Sequence, residues 1–135
     1  MKTELRNIPA LNREIQYLVG TDAQDNFNII DASDPTDMWF HLSGYSSCHV
    51  IAKMPKDIAL DKKQKLQIFK QGALICKQNS KHKSEQKVDV IYTTVSNITK
   101  TKTIGQVETT NVKHIDIWYA LHTPHHNTYF FNAHI

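Results

Sequence analysis

The chain has 135 residues, a hydrophobic fraction of 40%, a charged fraction of 21% and a formal net charge of +3. That is one domain's worth of sequence, long enough to bury roughly two-thirds of the surface its unfolded form exposes without a disulfide or zinc staple. No apolar run approaches the roughly 20 residues a membrane helix requires, so the sequence reads as a soluble protein with no membrane partner.

The N-terminus, "MKTELRNIPALNREIQ", is too polar for a signal peptide. Residues 1–14 are read as an N-terminal segment, 15–120 as the domain and 121–135 as a C-terminal tail. "EIQYLVG" predicts a strand ended by Gly20, and "TDAQDNFNIIDASDPTD" is polar, Asp-rich and turn-forming. "MWFHL" and "CHVIAK" are β-branched or aromatic runs separated by "SGYSS", the pattern of a hairpin. From Asp61 to Asn79 the apolar Leu66, Phe69, Ala73 and Cys76 fall at three- and four-residue steps with Lys62, Lys63, Lys65, Lys70 and Lys77 between them. That spacing predicts an amphipathic helix, with Asp61 at its start facing the orphan amides. After the polar turn "NSKHKSEQ", "KVDVIYTTV" alternates as a strand and "GQVETTNVKHIDIWYAL" offers one or two more. The tail "HTPHHNTYFFNAHI" is either a loose extension or a segment docked by Tyr129, Phe130 and Phe131, and its His122, His125 and His126 could scavenge nickel from a column.

These elements predict a single α+β domain. Its mainly antiparallel or mixed β-sheet is packed by one main amphipathic helix plus short helices, and the Leu66, Phe69, Ala73 and Cys76 stripe lies on a sheet containing Trp39 and Tyr92. Cys48 and Cys76 have apolar neighbours and no paired spacing, which suits a reducing, cytoplasmic address.

Asp37, His41 and His49 are the residue types of metal and proton-transfer sites, but in a strand Trp39 separates the first two and no third ligand is at hand. The His-Glu-x-x-His helix, paired Cys-x-x-Cys knuckles, the Walker loop and the Gly-x-Ser-x-Gly elbow do not occur. No metal, cofactor or catalytic residue is therefore assigned. Two readings of the histidines stay open: each is hydrogen-bonded within the fold, or His41, Ser46, Ser47 and His49 line a polar groove that receives phosphate or sugar oxygens. Trp39 and Phe40 read as core because strand aromatics bury their large apolar area, which leaves Tyr45, in the turn, as the stacking candidate.

Charge is unevenly spread. Residues 1–52 hold three Lys/Arg against seven Asp/Glu, residues 53–102 hold twelve against four, and residues 103–135 hold one against two, or −4, +8 and −1. A basic block in an otherwise acidic chain suggests a polyanion surface, although lysines solvating a helix face would look the same. Lys81 and Lys83 follow the helix and Lys100 and Lys102 follow the Tyr-Thr strand, so two lysine-bearing loops are placed to converge near the hairpin. Asn97 and Tyr92 would orient the second loop internally. The block contains no arginine, so the expected contacts are point charges on phosphates, backbone-led and weakly selective for sequence.

"VGTDAQDNFNIIDASDPTDMWFHLSGYSSCHVI", a helix ending in "NSK", and "VDVIYTTVSNITKTKTIGQV" together resemble the NFACT-R domain, the RNA-binding module of the NFACT proteins of ribosome-associated quality control. The likeness covers roughly residues 15–117, and its most specific elements are Asp-x-Trp-Phe-His and the order Tyr-Thr, Ser-Asn-Ile, Lys, Gly-x-Val. Thr21 stands where the family carries a basic residue, Asp22 where Asn is common, Ser46 and Ser47 where Pro-Gly is common, and Cys48 where Ser is common. The length accommodates only an isolated R domain. The resemblance implies a non-enzymatic module binding tRNA or ribosomal RNA, with association to the ribosome as a further partner. A DNA-binding or protein-interaction adaptor is the alternative, and a small metal-dependent hydrolase using His41 and His49 is a third.

Overall fold

The computed structural model describes the backbone of residues 1–120 and 128–134, and the side chains through Trp118. In chain order the elements are β1 (Lys2–Ile8), β2 (Arg13–Val19), α1 (Ala23–Asp31), β3 (Met38–Leu42), β4 (Val50–Ala52), α2 (Lys62–Gln78), β5 (Lys87–Thr94), β6 (Ile98–Lys100), β7 (Val107–Thr109), β8 (Lys113–Ala120) and β9 (Thr128–His134). Seven strands make one sheet in the order β1-β2-β4-β3-β5-β8-β9, with antiparallel pairing throughout, and β6 and β7 pair separately as a small ribbon. The expected α+β architecture is therefore present. Among the described residues no helix is long and apolar enough to cross a membrane.

The connections explain the layering. The chain steps from β2 to β3 through α1 and from β4 to β5 through α2, each time skipping one strand in the same direction across the sheet. Because β4 runs antiparallel to β2, a common crossover handedness places α1 and α2 on opposite faces. Alternation along the strands follows suit. Phe40, Leu42, Val50, Val90, Tyr92 and Ile115 join the α2-side core, whereas Leu18, Trp39 and Ile51 pack with Ile29 of α1 and with Ile98 and Val107 of the ribbon.

Three expectations change here. The Asp-rich stretch after Gly20 is not a run of turns but contains the nine-residue α1. Its carboxylates lie where a helix start uses them: Asp22 accepts from the Asp25 amide at 2.8 Å, Asp25 accepts from the Thr21 amide at 2.8 Å, and Ile29 anchors the helix in the core. Trp39 faces α1 and the ribbon rather than α2; Tyr92 does face α2, with its ring 5.0 Å from that of Phe69. On α2 the buried stripe is Ile68, Phe69, Gly72, Ala73, Ile75 and Cys76, with Leu66 only half-buried and Lys77 fully buried, its Nζ donating to the Lys83 carbonyl at 2.6 Å. Asp61 caps the helix as expected, accepting from the Gln64 amide at 2.8 Å while Gln64 returns the bond.

Residues 2–8, which carry no assigned element in the sequence reading, form the edge strand β1. In the tail, residues 128–134 pair with β8 as β9. The docking of Tyr129, Phe130 and Phe131 and the metal affinity of His122, His125 and His126 lie outside the described residues.

Candidate nucleic-acid interface

A groove of about 870 Å³ opens on the α1 side of the sheet. Its borders are the β2–α1 corner (Gly20 to Ala23), the β3–β4 turn (Ser46 to His49), the residues after α2 (Asn79 to Lys81) and the ribbon loop (Ile104 to Val107), with Trp39, His41 and Ile91 at its floor and Lys2 at its edge.

The corner is built by a close approach. A Cβ on Gly20 would sit 2.0 Å from the Asn26 side-chain oxygen, so only glycine lets the Asn26 amide reach over the strand. That oxygen accepts from the His49 amide at 3.0 Å, and the Gly20 amide donates to the His49 carbonyl at 3.0 Å. The β3–β4 turn passes through Gly44 at φ +76°, a left-handed conformation, and is closed by Ser47, whose hydroxyl oxygen accepts from the Leu42 amide at 3.1 Å.

His41 and His49 are packed as a cluster with Trp39. The His41 ring lies parallel to the indole at 5.6 Å, and the His49 ring meets the indole edge-on at 5.2 Å. His41 Nδ1 is 2.6 Å from the Leu42 carbonyl, which can only accept, so Nδ1 carries the proton and Nε2 presents a lone pair. Burial pushes the His41 pKa down, the Leu42 bond opposing it. Burial, then the neighbouring His41, push that of His49 down to about 3, with a backbone bond at Gly105 acting the other way. Both imidazoles are therefore neutral near pH 7 and give the groove polar atoms but no charge. Among the described residues the Trp39 indole N–H and His49 Nδ1 are buried without a hydrogen-bond partner.

Asp37 does not join the histidines. It is fully buried at the opposite end of β3, where it accepts from Lys53 Nζ at 2.6 Å, the Met54 amide at 2.9 Å and the Asp34 amide at 2.9 Å, tying β3 to the end of β4. The aspartate before Trp-Phe-His is thus an internal clamp. Among the described residues no three His, Cys, Asp or Glu side chains gather as a metal site.

The lysine-bearing loops do border one groove, but their four lysines differ. Lys81 lines it directly, and Lys102 belongs to the ribbon loop whose Gly105 and Gln106 form the facing wall. Lys81, Lys83 and Lys102 are exposed and, among the described residues, have no acidic partner. Lys100 is instead paired with Asp31 and sits 5.1 Å from the centre of the Phe27 ring, so it fastens the ribbon to α1. Asn97 turns inward, donating to the Thr93 hydroxyl at 2.9 Å. Tyr45 is half-exposed and lies against His82, ring centres 4.0 Å apart, while Ser46 lines the groove. Thr21 borders the groove with its hydroxyl and amide committed to Asp25.

Sequence reasoning missed Lys2, Asn26 and Ile104. Lys2 reaches the site by strand pairing and holds Asn79 at 3.0 Å, Asn26 lay in a stretch read as turns, and Ile104 is a lone apolar residue in a polar loop. The Gly-x-Val of the family pattern was the available signal for the ribbon loop. Cys48 and Cys76, distant in sequence, are neighbours at the groove's rear, where the Cys76 thiol donates to the Cys48 carbonyl at 3.8 Å.

Residues 12–111 match the family model of the NFACT protein RNA binding domain. The chain is 34% identical over 96 residues to coiled-coil domain-containing protein 25 of Danio rerio, covering 66% of this chain and 44% of that protein. It is 33% identical over 89 residues to the coiled-coil domain-containing protein 25 homolog of Dictyostelium discoideum, covering 62% and 40% respectively. It thus spans less than half the length of these relatives. The same fold occurs in the C-terminal part of the fibronectin/fibrinogen-binding protein from Streptococcus suis, with a TM-score of 0.64 at 18% identity over 74% of this chain and 39% of that one. The chain belongs to the NFACT RNA-binding domain family.

Proposed function

We propose that this NFACT-R-family chain is a non-enzymatic RNA-binding module that holds its ligand along the groove. Its target would be tRNA or ribosomal RNA, in cytoplasmic translation or ribosome-associated quality control. The observation that carries the reading is the placement of Lys81, Lys83 and Lys102: exposed cations without acidic partners among the described residues, on the two loops that border one groove. Of the other nine lysines of the basic block, Lys77, whose Nζ donates to the Lys83 carbonyl, and four more are held within the fold. Lys53 and Lys56 pair with Asp34 and Asp37, Lys87 with Asp116 and Lys100 with Asp31.

Reversing Lys81, Lys83 and Lys102 to Glu should abolish binding of a tRNA at physiological salt while leaving the unfolding midpoint unchanged, since exposed lysines contribute little to stability. Reversing Lys62, Lys63 and Lys65, at the far end of α2 and about 25 Å away along its axis, should not. In single Lys→Ala variants each phosphate contact should lower the log-log salt slope by roughly 0.7 to 0.9. Equal binding by the groove and control variants would refute the groove as the interface, and a DNA strand of the same sequence separates an RNA-selective from a general nucleic-acid module.

A further inference from the structure

Phosphate contacts alone do not account for what the groove is made of. Charged lining groups are few: Lys2 and Lys81 against Asp22. Much of the remaining wall is apolar, contributed by Ile91, Ile104 and Val107. Ile104 is 55% exposed at the mouth, an apolar side chain that a solvated phosphate strand would gain nothing by covering. The two imidazoles are neutral. His41, half-buried on the floor, offers the lone pair of Nε2, an acceptor, where phosphate recognition calls for donors and positive charge. Beside it, Trp39 and His49 are 1% and 2% exposed, and each carries a ring nitrogen without a partner among the described residues, an unusual condition for buried polar atoms.

Aliphatic walls, neutral polar atoms and a cationic rim suit one kind of occupant better than a continuous backbone. We propose that the groove is a receptor for an unpaired nucleobase, so that the protein takes single-stranded loops or ends of RNA and leaves regular duplex aside; this rests on the RNA-binding reading above. The base would lie against the apolar side chains of Ile91, Ile104 and Val107 with its edge toward His41 Nε2. Lys81 would stay outside for a flanking phosphate, and Tyr45, half-exposed at the neighbouring turn against His82, would offer a stacking surface. Base readout of this kind requires unstacked bases, because the edges in an A-form duplex are withheld in a deep, narrow major groove. Such a receptor adds base readout to the backbone-led binding expected from the lysines.

The test is fluorescence anisotropy with three short RNA probes: a single strand, the same strand annealed to its complement, and the same strand with its central nucleotides replaced by abasic spacers at equal phosphate count. The intact single strand should bind roughly tenfold or more tightly than either of the others, the range that one stacked base supplies. His41→Phe keeps a ring over Trp39 and removes the lone pair together with the Nδ1 bond to Leu42, so its unfolding midpoint is measured alongside; it should weaken single-strand binding by roughly fivefold, about one hydrogen bond, and leave duplex binding unchanged. Ile104→Ser, at an exposed site outside the core, should narrow the gap between intact and abasic strands. If duplex and abasic strands bind as tightly as the intact strand, yet the lysine reversal abolishes all three, the base receptor is refuted while RNA binding stands. If none of the three binds, both readings fall together.

Discussion

His49 shows how one residue serves the fold and the groove at once. Its backbone clips β4 to Gly20 and Asn26, while its ring is buried against Trp39 and His41 and held neutral, with a pKa of about 3. The unfolded chain lets the same ring titrate near its ordinary value of about 6.5. Between those two values the unfolded state binds the extra proton, so this contribution is complete above pH 6.5 and is lost as pH falls toward 3. The slope from one such group is up to about 1.4 kcal/mol per pH unit. Urea unfolding of the wild type and of His49→Gln, followed from pH 7 to pH 4, should show the wild type losing stability faster on acidification. Parallel curves would mean that the ring is solvated in the folded state.

At the scale of elements, the contact between α2 and the sheet turns on a glycine. Gly72 faces Phe40, and a Cβ there would lie 2.4 Å from the Phe40 ring, which is itself fully buried between Phe69 and Tyr92 and has no free direction to move. In an exposed helix Gly→Ala gains about 1 kcal/mol from propensity. Overpacking a filled core typically costs about 1 to 3 kcal/mol, and that larger figure decides the sign. Gly72→Ala should therefore destabilise the protein by about 1 kcal/mol in denaturant melts, and a net gain would show that the ring can swing aside. The helix reads correctly from its three- and four-residue spacing, yet the periodicity alone placed Leu66 in the stripe and passed over Ile68 and Gly72. Several rotations of a helix satisfy a loose apolar pattern, and the sheet selects among them.

For the molecule as a whole, β1 is part of the domain's structure rather than a leader to it. It pairs with β2 from Lys2 opposite Val19 to Ile8 opposite Arg13, Ile8 is fully buried, and Arg6 bonds Gln71 and Gln78 of α2. Removing residues 1–8 would delete a core side chain, strip β2 of one of its two neighbours and leave a hydrophobic edge open to pairing with another chain. The truncated protein should lose at least about 2 kcal/mol of stability, the lower end for deleting a large core side chain, and should associate at high concentration. A monomeric variant within about 0.5 kcal/mol of wild type would show that the domain begins at β2.

The sequence by itself determined the elements whose signals are local: β2 with its terminal glycine, the β3–β4 hairpin, the capped helix α2, strand β5, and the ordered residues that mark the family. Alternation and capping act within a few residues, so they survive in the linear text. Only the tertiary structure decided the site. Which face of the sheet Trp39 takes follows from the crossover topology, and Asp37 becomes a clamp because Lys53 folds back onto it. Lys100 is withdrawn from the surface charge by Asp31, sixty-nine residues away, while Lys2 enters the groove from the far end of the chain. Charge and residue type are written along the sequence, but whether a lysine meets a carboxylate or a ligand depends on distances that only folding creates.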